Sequence, residues 1–228
     1  MGAREKQERA PRAVLWDLDG VIADTGELHK LTWRRMLEEM GLPFDEEHFR
    51  RVFGMVNSEG VPLLLGRPVT AEEIAHLSER KEALFRQLLP GRLRPVPGTP
   101  EWIRRLRADG WRQAVASSAP RLNIEAMLSE LGLHDAFDAV ICAEELPAGK
   151  PDPAVFLKAA EALSVPPARC VVVEDAVVGI EAARRAGMKC IAVATTHPAE
   201  ELSDADLVVS TPAALPIDAF ERLLNGAR

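Results

Sequence analysis

The sequence predicts a doubly wound α/β core built on a parallel sheet, with a helical domain inserted after the first strand. Three observations carry that expectation. Short apolar, β-branched runs recur along the 228 residues, near-continuous rather than alternating. Strands buried on both faces of a parallel sheet read that way. Between the runs lie segments with apolar residues at i, i+3, i+4 and i+7, the stripe of an amphipathic helix. One interval, residues 24–95, breaks the alternation and carries helical signals only.

The first run is 13–16, and the interval follows it almost at once. Its opening helix is marked by the stripe Trp33, Met36, Leu37 and Met40. A later one starts at Thr70-x-x-Glu73, the form of a capping box. A crossover of about seventy residues far exceeds what one helix needs, so the interval reads as an insertion. The core resumes at Val96, where Thr99 before Pro100 has the form of an N-cap followed by Pro at N1. Strand runs then fall at 113–116, 139–143, 170–173, 190–194 and 207–209. The helical stripes Ile124, Met127, Leu128, Leu131 and Phe156, Ala159, Ala160, Leu163 stand between them. The expected division is a catalytic core of 12–23 and 96–228, a helical cap of 24–95 and a flexible terminus of 1–11.

Composition narrows the class. Hydrophobic residues make up 47% and charged residues 28%, as in ordinary globular proteins, which excludes a disordered chain, a collagen-like repeat and a disulfide scaffold. No apolar run approaches the roughly 18 residues of a membrane-spanning helix. The first twelve residues are charged and lack the apolar core of a secretory signal, and Lys6 stands where a myristoylation signal needs Ser or Thr. The net charge of −7 comes without a Lys/Arg block, so a nucleic-acid partner is not expected. Cys142, Cys170 and Cys190 are odd in number and show no C-x-x-C spacing, which suits buried, reduced thiols. The expectation is a cytoplasmic monomer that acts on a small molecule.

Chemistry concentrates at strand ends. The first run is followed by Asp17-Leu18-Asp19-Gly20, two carboxylates that can project into one crevice. Alone, this motif fits an Asp-rich turn equally well. Ser117 and Ser118 follow the run at 113–116, Lys150 lies in Gly149-Lys150-Pro151 after the run at 139–143, and Glu174-Asp175 directly follow 170–173. Each has a bland reading: a helix start, a solvated lysine, a charge pair at a helix N-terminus. All four in order, at the edge where open α/β sheets bind ligands, form a much stronger signal. The set has the composition of a phosphoryl-transfer site. Several carboxylates together call for a hard divalent cation such as Mg2+. Asp17, ionised at neutral pH, needs no general base to attack phosphorus. Asp19 could serve as acid and base if it were held partly protonated. Lys150 and Ser117 would neutralise and orient the phosphoryl oxygens.

On these residues the chain resembles the haloacid dehalogenase superfamily, in the subgroup of β-phosphoglucomutase-like proteins and sugar-phosphate phosphatases with a Rossmann-like core. The likeness runs from Val14 to about Thr211. It implies Asp17 as nucleophile and metal ligand, and Asp19 as acid/base and, through its carbonyl, a ligand. Glu174 and Asp175 would complete the Mg2+ site, and the insertion would be a cap that closes over it. The superfamily's dehalogenases lack the second Asp and the metal, so Asp19 argues against their chemistry. His29 matches a substrate-contacting position. Lys81 lies on the apolar stripe of its helix, where a lysine either snorkels at the edge or enters a cleft; the resemblance favours the cleft. Trp33 also matches, though its stripe suits core packing.

Two departures bear on activity. Where the mutase subgroup carries a cap Arg for a second phosphate, the segment 54–59 offers Asn57, which lacks the charged fork of Arg. The loop after Ser117 reads Ser118-Ala119-Pro120-Arg121 in place of a Ser-Lys-Asn run, with Arg121 restoring charge at a different place. Both favour a Mg2+-dependent phosphomonoester hydrolase of a small phosphorylated metabolite, a sugar phosphate, with a hexose phosphomutase as the alternative. A phosphorylated receiver domain would need its acceptor Asp after a middle strand and has no use for the insertion. A silent binding protein finds no support, since every catalytic position is filled.

Overall fold

The computed structural model describes residues 10–47, 49 and 57–226. Most of the expected flexible terminus, and residues 54–56 of the Asn57 segment, lie outside that set. Six strands form one parallel sheet in the order β5-β4-β1-β6-β7-β8. They are β1 Ala13–Trp16, β4 Arg112–Ala116, β5 Ala139–Ile141, β6 Cys170–Glu174, β7 Lys189–Val193 and β8 Leu207–Val209. Every expected run is a strand, with ends shifted by a residue or two. The largest change is at β5, which stops at Ile141 because Cys142 starts a 3-10 turn that Glu145 closes.

Successive residues of each central strand feed opposite cores, as the two-residue pleat requires. Val14, Trp16, Val115, Val171, Val173 and Ile191 pack into one. Ala13, Leu15, Ala114, Ala116, Val172 and Cys190 pack into the other. Helices cover both faces. All three cysteines are buried and free, and no helix among the described residues is long and apolar enough to cross a membrane.

The interval 24–95 is bounded by a short antiparallel pair, β2 Ala23–Asp24 with β3 Arg94–Pro95. Between them the described residues include the helices Gly26–Glu39, Asn57–Leu65 and Ala71–Leu88. The Thr70 hydroxyl accepts from the Glu73 amide at 3.2 Å, the expected N-cap bond. Two local readings change. Met40 terminates its helix and is 36% exposed instead of joining the buried stripe. Thr99 is already inside the helix Thr99–Ala108, with Gly98 at the N-cap. Its hydroxyl donates instead to the Val21 carbonyl at 2.8 Å, tying that helix to the loop after β1.

Candidate active site

The chain leaves β1 for β4 and β5 on one side of the sheet, then returns to β6 on the other. The carboxyl ends of β1 and β6 therefore flank the crevice of the topological switch. The Asp17 amide extends the ladder by donating to the Val173 carbonyl at 3.0 Å, which sets its side chain beside the end of β6. Asp17, Glu174 and Asp175 are all buried and offer oxygens within 4.8 Å of one another. The Lys150 ammonium reaches between them, donating to Asp17 Oδ1 at 2.5 Å and to Glu174 Oε1. Glu174 Oε2 accepts from the amides of Asp175 and Ala176 at 2.7 and 2.8 Å. Thr196 donates to Asp175 Oδ2 at 2.5 Å. Gly20, at φ +75°, makes room for this carboxylate: a Cβ there would lie 2.0 Å from Asp175 Oδ2.

Burial dominates the electrostatics. It pushes the Asp17 carboxyl up to about 7, with Glu174 and Asp19 adding to the rise and Lys150 opposing it. Asp175 rises for the same reasons: burial first, then the charges of Glu174 and Asp17. Three carboxylates against one ammonium leave an excess of buried negative charge, and burying such a set is costly unless a cation joins it. The donors are hard oxygens, so the residues present fit Mg2+.

Asp19 stands at the outer rim of the cluster. Burial would raise its pKa, but hydrogen bonds from His29 (3.1 Å) and Thr25 (2.6 Å), with the charges of His29 and Lys81, outweigh it and hold the carboxyl below its usual range. The condition attached to its acid role, partial protonation of Asp19 itself, therefore finds no support in its surroundings. Ser117 is buried at the end of β4, which neighbours β1, and its Oγ accepts from the Ala119 amide at 3.1 Å. Ser118 beside it is half-buried.

The other expected contacts divide into two groups. His29 stacks on Phe85 of the helix Ala71–Leu88 with ring centroids 4.5 Å apart. Lys81 is buried on that helix, 5.7 Å above the ring of Trp33, itself in the core. Its ammonium pairs with Glu82 at 2.7 Å, and the Asn57 amide donates to the same oxygen at 2.8 Å. Arg121 goes elsewhere: at the first position of the helix Arg121–Glu130, its guanidinium pairs with Glu145 at 2.6 Å on the surface.

A family model described as haloacid dehalogenase-like hydrolase matches residues 11–187. The chain belongs to that family. This hydrolase is 35% identical over 215 residues to a β-phosphoglucomutase of Bacillus subtilis, covering 91% of the chain and 92% of the relative. It is 32% identical to a phosphorylated carbohydrates phosphatase of Thermotoga maritima, covering 78% and 83%. Among solved structures, CbbY from Rhodobacter sphaeroides in complex with phosphate superposes with a TM-score of 0.84 at 27% identity, covering 92% and 99%.

Sequence reasoning missed four groups in this hydrolase. Thr196 follows β7 at the same sheet edge as the motif residues, so strand-end polarity was a usable signal. Thr25 lay within the segment read for His29. Glu82 and Gly179 gave no signal, since their roles depend on what packs against them. A Cβ at Gly179 would come within 2.0 Å of the Glu174 carboxylate. That carboxylate cannot retreat without leaving Lys150 and two amides. Gly179→Ala should therefore raise the Mg2+ concentration for half-maximal activity about tenfold or more. Alanine's better helix propensity, about 1 kcal/mol, should offset only part of that overpacking, so the metal-free melting temperature should fall as well. Unchanged Mg2+ dependence would show that Glu174 has freedom the packing denies it.

Proposed function

We propose that this hydrolase is a Mg2+-dependent phosphatase of a small phosphorylated metabolite, by class a sugar monophosphate, working through an aspartyl-phosphate. The observation that carries the reading is the ammonium of Lys150 between Asp17 and Glu174 within a buried carboxylate triad at the switch crevice. Asp17 and Asp175 with Glu174 would hold the cation, together with the Asp19 carbonyl. When bound, Mg2+ offsets repulsion between carboxylate and phosphate and stabilises charge on the transferring group. An Asp17 carboxylate oxygen bonds to phosphorus as the ester P–O bond breaks. The leaving oxygen takes a proton from the hydrogen-bonded Asp19–His29 pair. Water then attacks phosphorus and gives a proton back to that pair. The Asp17–phosphorus bond breaks, releasing phosphate and restoring the carboxylate. Lys150 and Ser117 orient the phosphoryl oxygens.

The interval 24–95 serves in this reading as a cap over the crevice, and the protein as a cytoplasmic monomer. Support for the cap comes from Arg86 and Glu82, which both reach Asn123 on the core helix Arg121–Glu130. The names of the relatives support sugar phosphates as the substrate class.

A phosphomutase is the second reading, favoured by the identity to β-phosphoglucomutase. A mutase must grip a second phosphate in the cap, and Asn57 provides only a neutral amide that is already bonded to Glu82. The expected outcome with β-glucose 1-phosphate is net phosphate release, unstimulated by glucose 1,6-bisphosphate. The assay follows glucose 6-phosphate and free phosphate together. Glucose 6-phosphate accumulating much faster than phosphate would establish the mutase instead. A panel of phosphorylated metabolites, screened for phosphate release, identifies the preferred substrate.

A further inference from the structure

Glu82 is a buried carboxylate that the chemistry above does not use. It is only 7% exposed, and three elements converge on it. Lys81 donates to Oε1 from its own helix, Asn57 donates to Oε1 from the helix Asn57–Leu65, and Asn123 donates to Oε2 from the core. Arg86, one turn along, donates to the Asn123 side-chain oxygen Oδ1 at 2.6 Å. The donors that an anion beneath the cap would seek are thus already turned to a carboxylate of the protein.

The cluster also stands where the far end of a substrate would reach. Phosphorus must approach Asp17 from the carboxyl edge of the sheet, because the strand itself closes the other side. Asp19 is bonded to His29, and His29 lies on Phe85, a residue one turn from Lys81 and Glu82 on the same helix. Asn123 lies on the helix that follows the Ser117–Ser118 loop. The cluster therefore bridges the cap to the loops around the crevice.

We infer that Glu82 is a specificity determinant: an internal counter-ion that occupies the cap's donors, rejects a second phosphate and selects monophosphates whose far end carries hydroxyls. A dianionic group entering here would meet Glu82 at close range in a desolvated site, where juxtaposed like charges strongly disfavour binding. A hydroxyl instead meets a carboxylate with remaining acceptor capacity and two amides, all of which suit it. Burial works against the Glu82 charge, but Lys81 and the hydrogen bonds from Lys81 and Asn57 outweigh it and keep the group ionised. The inference rests on the phosphatase reading for the direction in which substrate lies, but its test does not need turnover.

The test measures dissociation constants by calorimetry in Mg2+ for glucose 1-phosphate and glucose 1,6-bisphosphate. The proteins are Asp17→Asn, which should bind without reacting, and Asp17→Asn/Glu82→Gln. Before the second change, the monophosphate should bind more tightly. Glu82→Gln should then shift the ratio of the two constants toward the bisphosphate by about tenfold or more. A ratio that moves less than twofold overturns the inference, and so does tighter bisphosphate binding with Glu82 intact. That last result needs no Glu82 variant, so a failure of Glu82→Gln to fold leaves the idea open to refutation. Absence of binding by both sugars would refute it as well. The phosphatase reading is judged separately, by phosphate release from the metabolite panel with the wild-type enzyme. Failure there with the expected change in binding ratio would sink that reading and leave the role of Glu82 standing.

Discussion

Asp17→Asn should lose turnover by on the order of 10^4-fold or more while the protein stays folded. The amide is not a nucleophile toward phosphorus, and the substitution also removes one charge from the cation site. Folding should survive for a specific reason. The amide oxygen can still accept from Lys150, which keeps Glu174 as its second partner. Its NH2 faces a neighbourhood crowded with carboxylates, so a repulsion is replaced by a donor. In metal-free buffer the variant should melt at or above the wild-type temperature. Activity within tenfold of wild type would remove Asp17 from the nucleophile's role. Loss of the folded signal in circular dichroism would mean that its charge holds the crevice together.

Removing the metal should have the other large effect. Turnover should vanish in EDTA and return with Mg2+, while Ca2+ should inhibit, because its looser, higher coordination would misplace the attacking carboxylate. Stability supplies an independent readout. Asp17 titrates at 3.8 when freely solvated and at about 7 in the fold. Between those values the folded state keeps a proton that the unfolded state has lost, so metal-free stability falls as pH rises through that window. Asp175 acts in the same direction. Carboxylates held low, such as Asp19 and Glu82, act oppositely: they stabilise above their unfolded pKa, and that contribution is lost as pH falls through the folded one. Their contribution has levelled off by about pH 6. From about pH 6 to about pH 8 the metal-free melting temperature should therefore decline. Mg2+ should raise it most at the upper end, where a concentration a hundred times its dissociation constant adds about 2.7 kcal/mol of stability. Full activity after exhaustive chelation, or a melting temperature indifferent to Mg2+ at pH 8, would contradict the assignment.

The sheet, and the strand-end motif residues at its edge, were legible from the residues alone. Strands buried on both faces must be apolar at every position, so residues 13–16 and 170–173 stand out without knowledge of their neighbours. A parallel sheet with right-handed crossovers puts all strand ends on one side. That rule sets Asp17, Ser117 and Glu174 at one edge of the sheet, and the loop after β5 carries Lys150 to Asp17 and Glu174. Local chemistry was legible too, as at Thr70, because a cap bonds within its own turn. The readings that changed depended on distant partners. Thr99 is not an N-cap because the Val21 carbonyl, far away in sequence, accepts its hydroxyl. Arg121 turns away to Glu145, and Asn57 to Glu82. Asp19 is held ionised by Thr25 and His29 against the burial that would neutralise it. Which donors Glu82 gathers depends on packing, since a carboxylate one residue from a lysine on a helix looks like any solvated pair. Its meaning arises when three elements, separated along the chain, enclose it and exclude the water that would otherwise screen its charge.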